Sequence, residues 1–194
     1  MKLLHIDASS LGNHSVSRGL TASIVAELVR EQPGTRVTYR DLIAQPLPHW
    51  TPVADAADPA ALLGNDVMEE FLAADVIVLG APMYNFSIPS ALKAWIDRVL
   101  VAGKTFRYTE NGPEGLAKGK RVIIASSRGG IYSEGTAGAP MDFQEPYLRT
   151  VLGFIGITDV EFVRAEGVNV SADHKAEALT TAQASIGVMA RKAA

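Results

Sequence analysis

Short apolar runs alternate with longer amphipathic ones along this chain, and no other feature of the sequence restricts its fold as much. Five runs read as strands: "KLLHIDA" (2–8), "RVTYRDL" (36–42), "DVIVLGA" (75–81), "KRVIIAS" (120–126) and "DVEFVRAEG" (159–167). The central ones are rich in Val, Ile and Leu with little polar alternation, as expected of strands covered on both faces. Between them, apolar residues recur at helical spacing. Leu20, Ile24 and Leu28 do so within 17–30, and Leu62, Leu63, Val67, Phe71 and Leu72 within 60–73. Leu92, Trp95, Ile96, Val99 and Leu100 make a third stripe within 88–102, and two further helical patterns cover 147–154 and 173–192. Pro33-Gly34 should stop the first helix, while Ser87 is the expected cap of the third, Pro89 its early proline and Gly103 its stop. This order predicts an α/β fold, an open parallel five-stranded sheet with helices on both faces.

A chain of 194 residues suggests a single domain, 1–194, with the Pro- and Ala-rich stretch 46–59 as a surface excursion. A net charge of −3, with Lys and Arg scattered, gives no footprint for a nucleic acid. No apolar stretch approaches the roughly 20 residues of a membrane span. The opening "MKLLHIDASS" reads as a first strand rather than a signal peptide, so a soluble cytoplasmic protein is expected. With zero cysteines there is no disulfide, thiolate nucleophile or Cys-ligated metal, and no metal site is expected.

Sheets of this type bind ligands in the crevice outside the carboxyl ends of their strands. Three segments there invite a functional reading. "SSLGNHSVSRG" (9–19) places Ser9, Ser10, Ser15 and Ser17 around Gly12 immediately before a helix. A helix N-terminus offers unpaired N–H groups and partial positive charge, which suits a phosphate. No lysine stands in the segment and no Walker or G-x-G-x-x-G pattern is present, which argues for a phosphate that is held rather than transferred. The alternative is one capping serine among loop filler, and this stretch alone leaves both open.

"PMYNFSIPSALKAW" (82–95) puts Met83, Tyr84, Asn85 and Phe86 at the mouth of the turn after the third strand. Met83, Tyr84 and Phe86 can pack on a planar ring while Asn85 addresses polar atoms at its edge. They can equally fill the seam between sheet and helix, but their place at the ligand-binding end of the sheet favours the first reading. After the fourth strand, "SSRGGIYSEGTAGAP" supplies Ser127 and Arg128 as donors and Gly129 and Gly130 as places of close backbone approach. Its length suggests a mobile flap over 131–141. A phosphate pocket, an apolar slot and a tight backbone contact together suit a planar ring on a phosphorylated tail, and flavin mononucleotide (FMN) is the obvious candidate.

"APMYNFSIPSALKAWIDRV", "TFRYTENGPEGL", "SSRGG" and "LGFIGITDVEFVRAEG" resemble the FMN-dependent NADH-azoreductases, which are also NADH:quinone oxidoreductases. The similarity runs from "HIDASS" to the last helix. It implies a flavodoxin-like three-layer α/β/α sandwich, a homodimer, and one non-covalent FMN per subunit near the interface. It implies FMN contacts at Ser9, at Ser15, Val16 and Ser17, at Met83 to Phe86, and at Ser127, Arg128, Gly129 and Gly130. It implies further that Tyr108 and Phe154 wall the substrate site across the interface, and it puts Tyr132 where family members often carry His.

The implied activity is hydride transfer from NADH or NADPH by way of the flavin to quinones, and reductive cleavage of azo compounds in two cycles, by a ping-pong scheme. It accounts for the lack of other catalytic groups. His5, His14, His49 and His174 form no cluster, and no G-x-S-x-G elbow or H-E-x-x-H pair occurs. No protein residue is therefore expected to be catalytic, because the cofactor carries the chemistry. The alternative is a one-electron flavodoxin-type carrier with no substrate of its own. Such carriers are usually strongly acidic around the flavin, which this chain is not.

Overall fold

The computed structural model describes residues 1–191 except 53, 54 and 56. Five parallel strands form one sheet: β1 (Lys2–Asp7), β2 (Arg36–Asp41), β3 (Val76–Pro82), β6 (Arg121–Ser127) and β7 (Asp159–Ala165), in the order β2-β1-β3-β6-β7. The register aligns Leu4 with Ile77, Ile77 with Val122 and Ile124 with Phe162. Every residue of β3 is buried, which is why its sequence shows no polar alternation. Between β3 and β6 the chain makes a separate antiparallel hairpin, β4 (Phe106–Thr109) and β5 (Gly112–Gly115).

Helices α1 (Val16–Glu31) and α5 (Ala172–Arg191) cover one face, where Leu20, Ile24 and Leu28 meet Val78, Ile123 and Ile186. Helices α2 (Pro59–Ala73), α3 (Ser90–Val99) and α4 (Glu145–Phe154) belong to the other, whose core includes Phe71, Leu92, Trp95 and Leu148. The result is a three-layer α/β/α sandwich. Of the expected last helix, Lys192 lies outside the described residues, as do Val53, Ala54 and Ala56 of the expected surface excursion.

Several local expectations need correction. Leu62 and Leu72 are exposed, and it is Met68 that joins Val67 and Phe71 on the buried side of α2. Ser87 does not cap α3. Its backbone is engaged in a tight bridge with Tyr84 (Tyr84 N to Ser87 O 2.9 Å, Ser87 N to Tyr84 O 3.1 Å), so the helix opens three residues later with Pro89 as its N-cap. Nor does Gly103 end it. The helix stops at Val99, because Thr105 turns its hydroxyl back to donate to the Val99 carbonyl at 2.6 Å, and Gly103 serves the turn into β4 with a φ of 82°.

Candidate functional site

Because β1, β3 and β6 are neighbours in the sheet, the loops leaving their carboxyl ends lie side by side. The first carries Ser9, fully buried, then a 3-10 turn Gly12–His14 in which Gly12 takes a φ of 51°. Ser15 is the N-cap of α1: its hydroxyl accepts from the Arg18 N–H at 3.2 Å and lies 3.2 Å from the Ser17 hydroxyl. The next N–H, of Gly19, goes to the Ser15 carbonyl. Among the described residues nothing accepts from the N–H groups of Val16 and Ser17. Two free first-turn donors beside two serine hydroxyls make an anion cradle. Ser15 is therefore the helix cap and also lies beside those free donors.

Arg18, which sequence reasoning missed, fixes the cradle's position. Its guanidinium donates to the Ser9 carbonyl (2.8 and 3.1 Å) and pairs with both oxygens of Asp41 at the end of β2 (2.7 and 2.8 Å). Those bonds hold the Asp41 carboxyl at about 2, well below the ordinary 3.8, against the opposing effect of burial. Asp7 stands behind, accepting from Thr21 (2.8 Å) and Tyr39 (3.1 Å), with the His5 ring 4.8 Å from that of Tyr39. Burial raises the Tyr39 phenol, and the Asp7 charge adds to it, up to about 12. No spacing rule pointed Arg18 inward. The only signal was an acid closing β2 opposite an arginine in the first turn of α1.

The second loop is strained. Asn85 and Phe86 hold φ values of 49° and 72°, in the left-handed region that costs an L-residue about 1–2 kcal/mol. Such outliers concentrate at ligand sites. The turn is held by the Tyr84–Ser87 bridge, by Phe143 N–H donating to the Phe86 carbonyl (3.0 Å), and by Met83 N–H donating to the Ser127 carbonyl (2.8 Å). Asn85 and Phe86 are exposed, and the Phe86 ring stands edge-on to Tyr132 with centroids 6.2 Å apart. The Tyr84 hydroxyl reaches across to the first loop, accepting from Ser10 N–H at 3.0 Å and lying 3.0 and 3.3 Å from the Ser10 and Ser9 hydroxyls. Burial opposes ionisation of this phenol, but the serine bonds and the nearby Arg18 charge prevail and lower its pKa.

In the third loop Ser127 is buried beside Met83, and Arg128 is not a surface donor. Its side chain is 1% exposed and turned into the body, with Nη2 3.0 Å from Asp142 and 2.5 Å from Glu145, and Nη1 3.5 Å from Glu166. Arg164 closes the cluster with a two-pronged bond to Glu145 (2.9 and 2.7 Å). The two glycines also serve neighbours within the chain. A Cβ on Gly129 would come within 2.8 Å of the Asn169 amide, and one on Gly130 within 3.0 Å of the Tyr132 hydroxyl. Within 131–141, Tyr132, Ser133 and Thr136 are engaged in hydrogen bonds. Glu166 accepts from Tyr132 N–H at 3.1 Å and from the Ser133 hydroxyl, and Thr136 donates to the Ser133 carbonyl at 2.8 Å.

Tyr108 and Phe154 lie elsewhere. Phe106 is buried, with the Phe154 ring 4.8 Å away and the Tyr108 ring 5.6 Å away, while Tyr108 itself is 75% exposed. Trp95 sits in the core against Phe71, so its substitution would report on folding rather than on association. A cavity of about 850 Å³ opens from Ser15 and Val16 along α1 and α5 toward Lys175 and Leu179. It does not include the Asn85–Phe86 turn, which is an open shelf. The donor set fits a phosphate group, and the exposed, strained turn beside it offers a ring an apolar edge and an amide. An FMN-shaped ligand fits both.

Comparison with known proteins agrees with this geometry. A family profile described as a flavodoxin-like fold matches residues 1–188. The FMN-dependent NADH:quinone oxidoreductase of Sinorhizobium fredii is 60% identical over 96% of this chain and 95% of its own length. Its namesake numbered 1 in Xanthomonas euvesicatoria is also 60% identical, with the same coverage. Among solved structures, azoreductase from Bacillus anthracis superposes with a TM-score of 0.90 at 30% identity, over 98% of this chain and 99% of that one. An FMN-dependent NADH-azoreductase from the same species, in complex with FMN, gives 0.90 at 25% identity, over 100% and 99%. From fold, loop geometry and these matches together, the chain belongs to the flavodoxin-like family of FMN-dependent NADH:quinone oxidoreductases.

Proposed function

We propose that the chain, as one FMN-binding domain per subunit of a cytoplasmic homodimer, oxidises NADH or NADPH and reduces quinones and azo compounds. The observation that carries this reading is the pair of free N–H groups at Val16 and Ser17, with Ser9, Ser15 and Ser17, beside the strained Asn85–Phe86 shelf. The names and close similarity of the relatives support it.

When bound, FMN would supply the redox chemistry, the two-electron transfer between reduced nicotinamide and acceptor. The chain's own residues hold and cover. Ser15, Val16 and Ser17 receive the phosphate, with Ser9 fixed at its edge by Arg18. Met83, Tyr84, Asn85 and Phe86 carry the ring, and Ser127 to Gly130 bound its polar edge through backbone groups, since the Arg128 side chain faces inward. An open shelf admits water, and excluding it needs a cover. Tyr108 and Phe154 of one subunit, grouped around Phe106 on a projecting hairpin, are suited to cover the site of the other. Donor and acceptor then compete for one flat slot on this shelf.

That competition predicts ping-pong kinetics. Initial rates at several fixed quinone concentrations should give parallel double-reciprocal lines on the yellow, FMN-loaded protein. Intersecting lines would mean a ternary complex and overturn the single slot, and absence of NADH turnover would favour the one-electron carrier.

A further inference from the structure

Arg98, in the last turn of α3, is a buried cation with no anion. It is 6% exposed, and its guanidinium donates only to main-chain carbonyls, Nη2 to Pro48 at 2.9 Å and Nη1 to Ala60 at 3.3 Å. Its Nε is fully buried and has no hydrogen-bond partner. Among the described residues no carboxylate lies within ion-pair distance of Arg98 or of nearby Lys104, although the neighbouring helix positions are acid-rich: Asp97 is held by Lys93 and Glu70 by Arg40. Leaving a guanidinium desolvated and uncompensated is costly, so such a group normally has a partner. Gly64 makes the room: a Cβ there would stand 3.3 Å from Nη1.

A cavity of about 320 Å³ opens onto this group, walled by Met68 and Val101, with Trp50, Asn65 and Lys104 around it. The size is that of a small-molecule site. Its chemistry is two-sided. Arg98 and Lys104 supply cationic donors suited to a planar oxyanion, Lys104 now making only a 3.4 Å contact with Asn65. Trp50, 55% exposed, supplies an apolar face on which a ring can lie. None of these residues belongs to the three loops of the flavin site.

We propose that this α2–α3 cavity is a second ligand site, which takes a small aromatic carboxylate with its carboxylate on Arg98 and Lys104 and its ring against Trp50. Benzoate is the probe and inorganic phosphate the control, both titrated into the FMN-loaded protein. At about 100 times its dissociation constant, benzoate should raise the unfolding midpoint by roughly 5–10 °C. It should also change the emission of Trp50 while leaving the flavin absorption band unaltered. Arg98→Met should abolish the shift, and Lys104→Gln should weaken benzoate binding about tenfold.

No shift in the unmodified protein, or an equal shift in Arg98→Met, overturns the site. So does a shift accompanied by a perturbed flavin band, which would place benzoate on the flavin. Phosphate matching benzoate at equal concentration overturns the aromatic-carboxylate assignment. If Arg98→Met does not fold, unchanged benzoate affinity in Lys104→Gln overturns it instead.

Discussion

Ser15 and Ser17 illustrate how two residues can serve the helix and the ligand at once. Ser15 caps α1, and loss of a cap costs about 1 kcal/mol. Hydrogen bonds to a charged phosphate are worth about 1.5–3 kcal/mol each. Replacing both serines by alanine should therefore lower FMN affinity by well over tenfold, while the FMN-free protein loses only the cap's share of stability. Unchanged affinity, measured by fluorescence of released flavin, would remove the phosphate from this loop. Arg18 makes a different prediction. It depresses the Asp41 carboxyl from 3.8 to about 2, so the pair adds stability above the first value. That stability should fade as pH falls from about 3.8 to about 2. Urea midpoints across that range should drop less steeply for Arg18→Met than for the unmodified protein, and coincident slopes would contradict the assignment.

At the scale of elements, the β4–β5 hairpin stands on a contact that admits no side chain. A Cβ on Gly115 would lie 2.1 Å from the Gly156 nitrogen and 2.2 Å from the Ile155 carbonyl carbon, and Ala117 N–H donates to the Ile155 carbonyl at 2.8 Å. Gly115→Ala must push the hairpin off the end of α4, costing roughly 1–3 kcal/mol or more. The loss should appear as a lowered melting temperature together with faster proteolysis within 106–115. The central strands and the helices were legible in the sequence because burial on both faces leaves uninterrupted Val/Ile/Leu runs and helical stripes, whereas the β4–β5 hairpin carries no such run and was not read as strands. The loops at the strand ends were legible as well, since parallel topology dictates where ligands go. What escaped was set by contacts between distant residues. Ser87 failed as a cap because it is bridged to Tyr84, Arg128 turned inward to Asp142 and Glu145, and Gly129 yields to Asn169. No local pattern encodes such pairings.

For the whole molecule, the exposed Tyr108 beside buried Phe106 is the place to test association, since Trp95 belongs to the core. Tyr108→Glu should leave the subunit folded but weaken the dimer and lower quinone reductase activity by about tenfold or more. A folded, FMN-bearing monomer with full activity would exclude a shared site. The Tyr84 phenol, whose contacts with Ser9 and Ser10 join two loops 74 to 75 residues apart in the chain, has a further consequence. A cradle and shelf already locked to one another surrender little conformational freedom when a ligand arrives. Tyr84→Phe, which cuts that tie, should therefore weaken FMN binding by raising the ordering cost that binding must meet.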